Sequence, residues 1–176
     1  SLKTFSQNVG GELNSIYAGS CDSDATAKEM SPHDWIFSIE KDSLKPLSPQ
    51  NLPARRRDQF WGTADLAADD FNNDGLTDIA LATHNNGFTQ GMIQLLVQDR
   101  KKVGSFIDQN HIFSREPFFD GAFIPWIKSG DLNGDGFAEI LFALRPNPHS
   151  AIASPIKLYV NNKGHEFQDA SICLGI

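Results

Sequence analysis

The chain has only two cysteines, Cys21 and Cys173, near opposite ends of its 176 residues. So low a count excludes a disulfide-stapled miniprotein or a cysteine-rich metal knuckle. A disulfide closing a long loop and two buried free thiols both remain open readings. No apolar run approaches the ~20 residues of a membrane span. No signal-peptide pattern follows Ser1, as expected of a mature or excised piece of something longer. Basic charge is also short: 15 Lys and Arg stand against 22 Asp and Glu, for a net charge of −7. Nucleic acid, which demands a basic footprint, is therefore not an expected partner. The one basic cluster, Arg55-Arg56-Arg57, follows Pro53 and reads as solvated linker, not as a phosphate site.

Catalytic signatures are missing as well. There is no His-Glu-x-x-His, no Gly-x-Ser-x-Gly elbow and no phosphate-cradling glycine loop. The five histidines (His33, His84, His111, His149 and His165) are scattered without ligand spacing. His84, just past an expected strand end, is the nearest candidate base, and surface polarity accounts for it equally. Trp61 and Trp126 could stack on a sugar, but each lies in or near a strand, where core packing is the expectation. No visible motif supports catalysis, while a site assembled from loops stays open.

What is present is a composition for one globular domain with a real core: 40% hydrophobic residues, including 13 phenylalanines. Within it stand two matching acidic stretches. The first runs Asp70-Phe71-Asn72-Asn73-Asp74-Gly75-Leu76-Thr77-Asp78 and the second Asp131-Leu132-Asn133-Gly134-Asp135-Gly136-Phe137-Ala138-Glu139. Oxygen-bearing side chains occupy positions one, three, five and nine of each, with glycine at six. Alternate residues of a tight turn can point at one centre, and Ca²⁺ takes six to eight oxygens. The expected ligands are Asp70, Asn72, Asp74, the Leu76 carbonyl and Asp78, then Asp131, Asn133, Asp135, the Phe137 carbonyl and Glu139. Gly75 and Gly136 fall where a positive φ is expected. Six of the acids lie in these loops, so two bound Ca²⁺ would bring the net charge from −7 to −3. The acidity thus says little about partners.

An EF-hand would need a glutamate at position twelve and flanking helices. Position twelve is Leu81 in one loop and Phe142 in the other. Each loop runs instead into a short apolar segment, Ile79-Ala80-Leu81-Ala82 or Ile140-Leu141-Phe142-Ala143, the pattern of a buried strand. The loops are expected to join strand to strand.

Asp70 and Asp131 stand 61 positions apart, and the surrounding pattern repeats. A first strand (63–68; 125–129) precedes each loop and a second follows it. A polar connection (83–90; 145–154) then leads to an alternating third strand, Ile93–Val97 or Ile156–Val160. A fourth is expected near Phe106 and Phe167. A fainter copy, with strands at 13–18 and 35–41 and no acidic loop, comes before these. The reading is all-β: about three four-stranded antiparallel β-propeller-type blades. A degenerate or incomplete blade spans 1–52, and blades with a calcium loop span 53–116 and 117–176. Propellers close with four to eight blades. The open faces would be covered by further blades of a parent chain, by a second copy, or by the first segment acting as a cap.

Residues 70–80 and 130–140 resemble FG-GAP/VCBS-type repeats, the blades of integrin α-subunit propellers and of many secreted bacterial proteins. Leu158-Tyr159-Val160-Asn161-Asn162-Lys163-Gly164-His165-Glu166-Phe167-Gln168-Asp169 resembles the strand-turn-strand that closes such a repeat. The resemblance covers residues 60–170 well and the first 50 weakly. It implies a structural Ca²⁺ in each loop, bound by the residues named above, with Glu139 departing mildly from the usual aspartate. It also implies that partners bind the opposite face, at 83–90 and 145–154, where His84, Asn85, Asn86, Arg145, Asn147 and His149 are the polar groups. The function it suggests is extracellular recognition or adhesion, toward a protein or carbohydrate. The second reading is an accessory propeller part of a secreted polysaccharide-acting enzyme. A secreted, periplasmic or cell-surface setting, where calcium is plentiful, suits both.

Overall fold

The computed structural model describes the backbone of Leu2–Gln7, Leu13–Ala18, Trp35–Glu40 and Ser43–Pro46, and residues 61–85, 87–102, 104–146 and 155–171. Cys21, Cys173, His33, the Arg55-Arg56-Arg57 cluster, Asn86, Asn147, His149 and the boundary stretch 47–53 lie outside the described residues, as does the Trp61 side chain.

Every regular element among the described residues is a strand, apart from one 3-10 turn at Asn110–Ile112. Strands β1 (Leu2–Gln7), β2 (Leu13–Ala18), β3 (Trp35–Glu40) and β4 (Ser43–Pro46) form a four-stranded antiparallel sheet in chain order. The two strands expected of the faint first copy are both present.

The second sheet holds β5 (Trp61–Asp69), β6 (Asp78–Asn85), β7 (Gln90–Gln98) and β8 (Phe106–Asp108), again in chain order. A fifth strand, β9 (Phe118–Asp120), also pairs with β7. It lies beyond the boundary at 116 expected from the sequence, yet it belongs to this sheet. Strands β8 and β9 share one edge of β7, and the gap between them is filled by a side chain. Asn110, 3% exposed, donates from Nδ2 to the Ile93 carbonyl at 2.6 Å and accepts at Oδ1 from the Leu95 N–H at 2.6 Å. A primary amide carries the same donor and acceptor as a peptide, so it can stand in for a strand.

The third sheet runs β11 (Ile127–Gly130), β12 (Glu139–Ala143), β14 (Ile156–Asn162) and β15 (Glu166–Asp169). Short strands β10 (Ala122–Phe123) and β13 (Arg145–Pro146) form a separate two-stranded ladder.

Two-residue alternation splits the second sheet into two apolar faces. Ala67, Ala80, Ala82, Ile93 and Leu95 join a core with Ile127, Ile140, Phe142, Tyr159 and Phe167 of the third sheet. Leu66, Ile79, Leu81, Leu96 and Phe106 form a second cluster. In the shared core, small alanines meet large rings, the complementarity that close packing requires. Phe113 stacks on Phe167 at 5.0 Å, and Phe142 on Tyr159 at 5.5 Å. The sheets are also tied by polar links. The Ser114 N–H donates to the Phe167 carbonyl. Asp65, 5% exposed, accepts from the Ile127 N–H at 3.2 Å and from Lys128 Nζ at 2.9 Å.

Candidate functional site

Each acidic loop connects the first two strands of its sheet: β5 to β6, and β11 to β12. Register fixes both ends, with Asp69 opposite Asp78 and Gly130 opposite Glu139. Positions four and six take left-handed backbone in both loops: Asn73 (φ 56°) and Gly75 (86°), then Gly134 (78°) and Gly136 (88°). Asparagine and glycine are the residues that tolerate this region.

The hydrogen bonding agrees position by position. Asp70 accepts from the N–H groups of Asp74 and Gly75 at 2.9 and 2.7 Å. Asp131 does the same for Asp135 and Gly136 at 3.1 and 2.9 Å. The position-three amides, Asn72 and Asn133, accept from the N–H of position five. Asp74 and Asp135 accept from the N–H of position seven. The last carboxylate closes each loop, Asp78 on the Phe71 N–H and Glu139 on the Leu132 N–H. The extra methylene of Glu139 therefore leaves this closing bond in place.

The loops differ in surroundings. Residues 131–136 are all exposed, whereas the first loop is half-buried. Asp78 is fully buried. Burial, reinforced by the charges of Asp74 and Asp70, pushes its carboxyl up to about 7 against hydrogen bonds from the Gln98 and Phe71 N–H groups. Arg100 approaches from outside, donating from Nη2 to the Asp74 carbonyl at 3.0 Å with Nε 3.6 Å from the Asp74 carboxylate. Among the described residues, no three His, Cys, Asp or Glu side chains form a preassembled metal cluster. The loop oxygens are engaged by the chain's own N–H groups. Their chemistry nonetheless fits a hard cation: carboxylates, an amide oxygen and a carbonyl, with no sulfur or imidazole.

Residues 70–142 match the family of the FG-GAP-like repeat. This stretch is an FG-GAP-like repeat. The matched span opens on the first residue of the first acidic loop and closes in β12, after the second. The antiparallel four-stranded sheets around it have the strand order of propeller blades, in keeping with a partial propeller. No curated protein matches the chain.

At the other end of the FG-GAP-like sheets, β6 turns into β7. Asn85 holds this turn, accepting at Oδ1 from the Thr89 and Gln90 N–H groups and donating from Nδ2 to Thr89 Oγ1. His84 is buried and stacks on Phe88 at 4.3 Å, with its Nδ1 2.9 Å from the Asn85 carbonyl oxygen. Phe88, 40% exposed, sits at φ 53° and meets Phe123 edge-on at 5.2 Å. The Arg145 guanidinium lies 5.9 Å from the Phe123 ring centre. The structure brings His84, Asn85 and Arg145 to one end, but His84 and Asn85 belong to β6, and His84 is buried where the sequence suggested a group of the surface connection. It adds Phe88 and Phe123, which the sequence reading missed. The available signal was an aromatic residue inside the polar turn Gly87-Phe88-Thr89. Trp126 is half-buried beside β11.

Among the described residues, no helix is long and apolar enough to cross a membrane.

Proposed function

We propose that this chain is a non-catalytic, calcium-stabilised propeller module that recognises an extracellular protein or carbohydrate. The observation that supports the calcium part is the position-by-position agreement of two donor sets in loops 61 positions apart. Asp70, Asn72, Asp74, Asp78 and the Leu76 carbonyl would hold one Ca²⁺. Asp131, Asn133, Asp135, Glu139 and the Phe137 carbonyl would hold the other. The ion supplies charge that offsets the mutual repulsion of the clustered acids, and the chain supplies the turn that presents their oxygens. The Asp78 carboxyl, raised first by burial and then by its acidic neighbours, has the most to gain.

Recognition is assigned to the opposite end, where Phe88 and Phe123 offer aromatic surface beside the Arg145 guanidinium. Exposed aromatic and arginine groups are over-represented where proteins bind partners. A bulky residue held at positive φ also costs energy that ordinary turns avoid.

The test is calorimetric titration of metal-stripped protein with Ca²⁺, with Tm followed in parallel. Two ions per chain and a Tm that rises with calcium are expected, since a ligand of the native state stabilises it by mass action. Asp74→Ala should remove one ion and lower Tm. No uptake and no shift would overturn the calcium reading. For recognition, a glycan array and a panel of extracellular proteins are probed with native and Arg145→Ala protein. Binding that the substitution leaves intact would remove this end from the proposal.

A further inference from the structure

We infer that Asn161 couples the two acidic loops, so that a cation in the first raises the affinity of the second. This rests on the calcium reading above. Asn161 is fully buried and lies on β14, away from both loops in sequence. Its Nδ2 donates to the Phe71 carbonyl of the first loop at 2.8 Å and to the Ala138 carbonyl of the second at 3.1 Å. Its own N–H donates to Glu139 Oε1 at 3.4 Å. Its Oδ1 accepts from the Gly164 N–H at 2.8 Å, which locks the side chain to the β14–β15 turn.

A continuous path follows. The Phe71 N–H is held by the Asp78 carboxylate, and the Phe71 carbonyl by Asn161. Asn161 in turn holds the peptide at Ala138 and reaches the Glu139 carboxylate. The closing carboxylates of both loops therefore orient groups that share one buried amide. The second sheet contains the local half of the same device. Gln98 occupies the matching place on β7, donating from its N–H to Asp78 at 2.9 Å and from Nε2 to the Thr77 carbonyl at 3.2 Å. Each amide thus serves positions eight and nine of its own loop, and Asn161 additionally spans to the neighbouring loop. The first loop also packs on the β14–β15 turn, where a Cβ on Gly164 would stand 3.2 Å from the Asn72 Cα, and it nears the second loop, where one on Gly136 would stand 3.9 Å from Asn73 Nδ2.

Ordering the first loop around an ion fixes the Phe71 carbonyl, hence Asn161, hence the peptide that precedes Glu139. The second ion then meets a loop that has less freedom to lose, which is positive coupling without new contacts. Repulsion between the two ions opposes this, and at exposed sites salt screens it.

The experiment is calcium calorimetry on four proteins: native, Asp74→Ala, Asn161→Ala and the double variant. Circular dichroism checks that each is folded. In the native background, disabling the first loop with Asp74→Ala should weaken the second by roughly five-fold or more, the lower end of typical coupling. In the Asn161→Ala background the same change should leave the second loop's affinity unaltered. A merely structural Asn161 would lower Tm but preserve the coupling, and that result overturns the inference. No calcium uptake by native protein would instead overturn the calcium reading itself. Should Asn161→Ala fail to fold, Asp135→Ala supplies the readout. With the second loop disabled, calcium entering the first should slow hydrogen exchange at the Leu132 and Asn161 amides. Unchanged exchange there rejects the coupling.

Discussion

Asp74 already meets one cation, and under the calcium proposal it would meet a second. Arg100 reaches its carbonyl and carboxylate from solvent, and calcium would use the same carboxylate. The Arg100 side chain is 70% exposed, so the pair contributes only about 0.2–1 kcal/mol. Arg100→Gln is expected to tighten calcium binding at the first loop by up to about five-fold at low salt. The gain should fade in calorimetry as ionic strength rises, since the competitor is screened. Gly164 and Gly121 make an informative pair at the same scale, with φ of 74° and 78°. A methyl at Gly121 meets open space, whereas one at Gly164 meets the Asn72 backbone at 3.2 Å. Gly121→Ala should cost about 1–2 kcal/mol in urea unfolding, the price of left-handed backbone alone. Gly164→Ala should cost more, and equal losses would show that the Asn72 contact yields. Asp169 gives an acid signature. Burial would raise its carboxyl, but hydrogen bonds from the Ser171 hydroxyl and N–H, helped by Lys157, hold it below 3.8. Its contribution is therefore present above the unfolded value and lost as pH falls below about 4 through the folded one. Asp169→Asn should flatten that part of a stability-versus-pH curve.

At the scale of elements, Asn110 closes an edge that no strand covers. Asn110→Ala would leave the Ile93 carbonyl and Leu95 N–H without this partner, at a cost of roughly 2–4 kcal/mol in urea unfolding. A loss below about 0.5 kcal/mol would mean that water replaces the amide. This plug was illegible in the sequence, as was the joining of β9 to the second sheet. A three-residue strand is too short for periodicity to register, and its partner is fixed by tertiary placement. Strands β6, β7, β12 and β14 were legible because each carries a run of apolar residues between turn formers. The loops were legible for a different reason. Their oxygen-bearing positions and glycines are dictated by local backbone, and Gly75 and Gly136 do take the expected positive φ. Phe88 and Phe123 escaped because their meeting depends on the approach of β10 to β7. That approach is so close that a Cβ on Gly91 would stand 2.9 Å from the Phe123 Cα. Asn161 escaped for the same kind of reason: its partners lie 90 and 23 positions away.

Across the whole molecule, the second and third sheets hold one aromatic core in common. Phe142 is buried there against Phe119 and Tyr159, and Phe142→Ala should cost about 3–5 kcal/mol. The loss should destabilise both sheets in one transition, which exchange-protected amides on β6 and β12 can report separately. If β6 keeps its protection while β12 loses it, the sheets are independent. The stitch at Phe113 and Ser114 onto Phe167 carries a consequence for how such a chain can be cut or lengthened. The period written in the sequence is one sheet, but the shared aromatic core needs residues of two. A gene fragment ending between them would leave the alanine face of the second sheet bare. The Lys101–Lys102 hairpin tip, exposed and outside the core, is where new termini or an inserted domain would be tolerated; the segment from Asn110 to Ser114 is not.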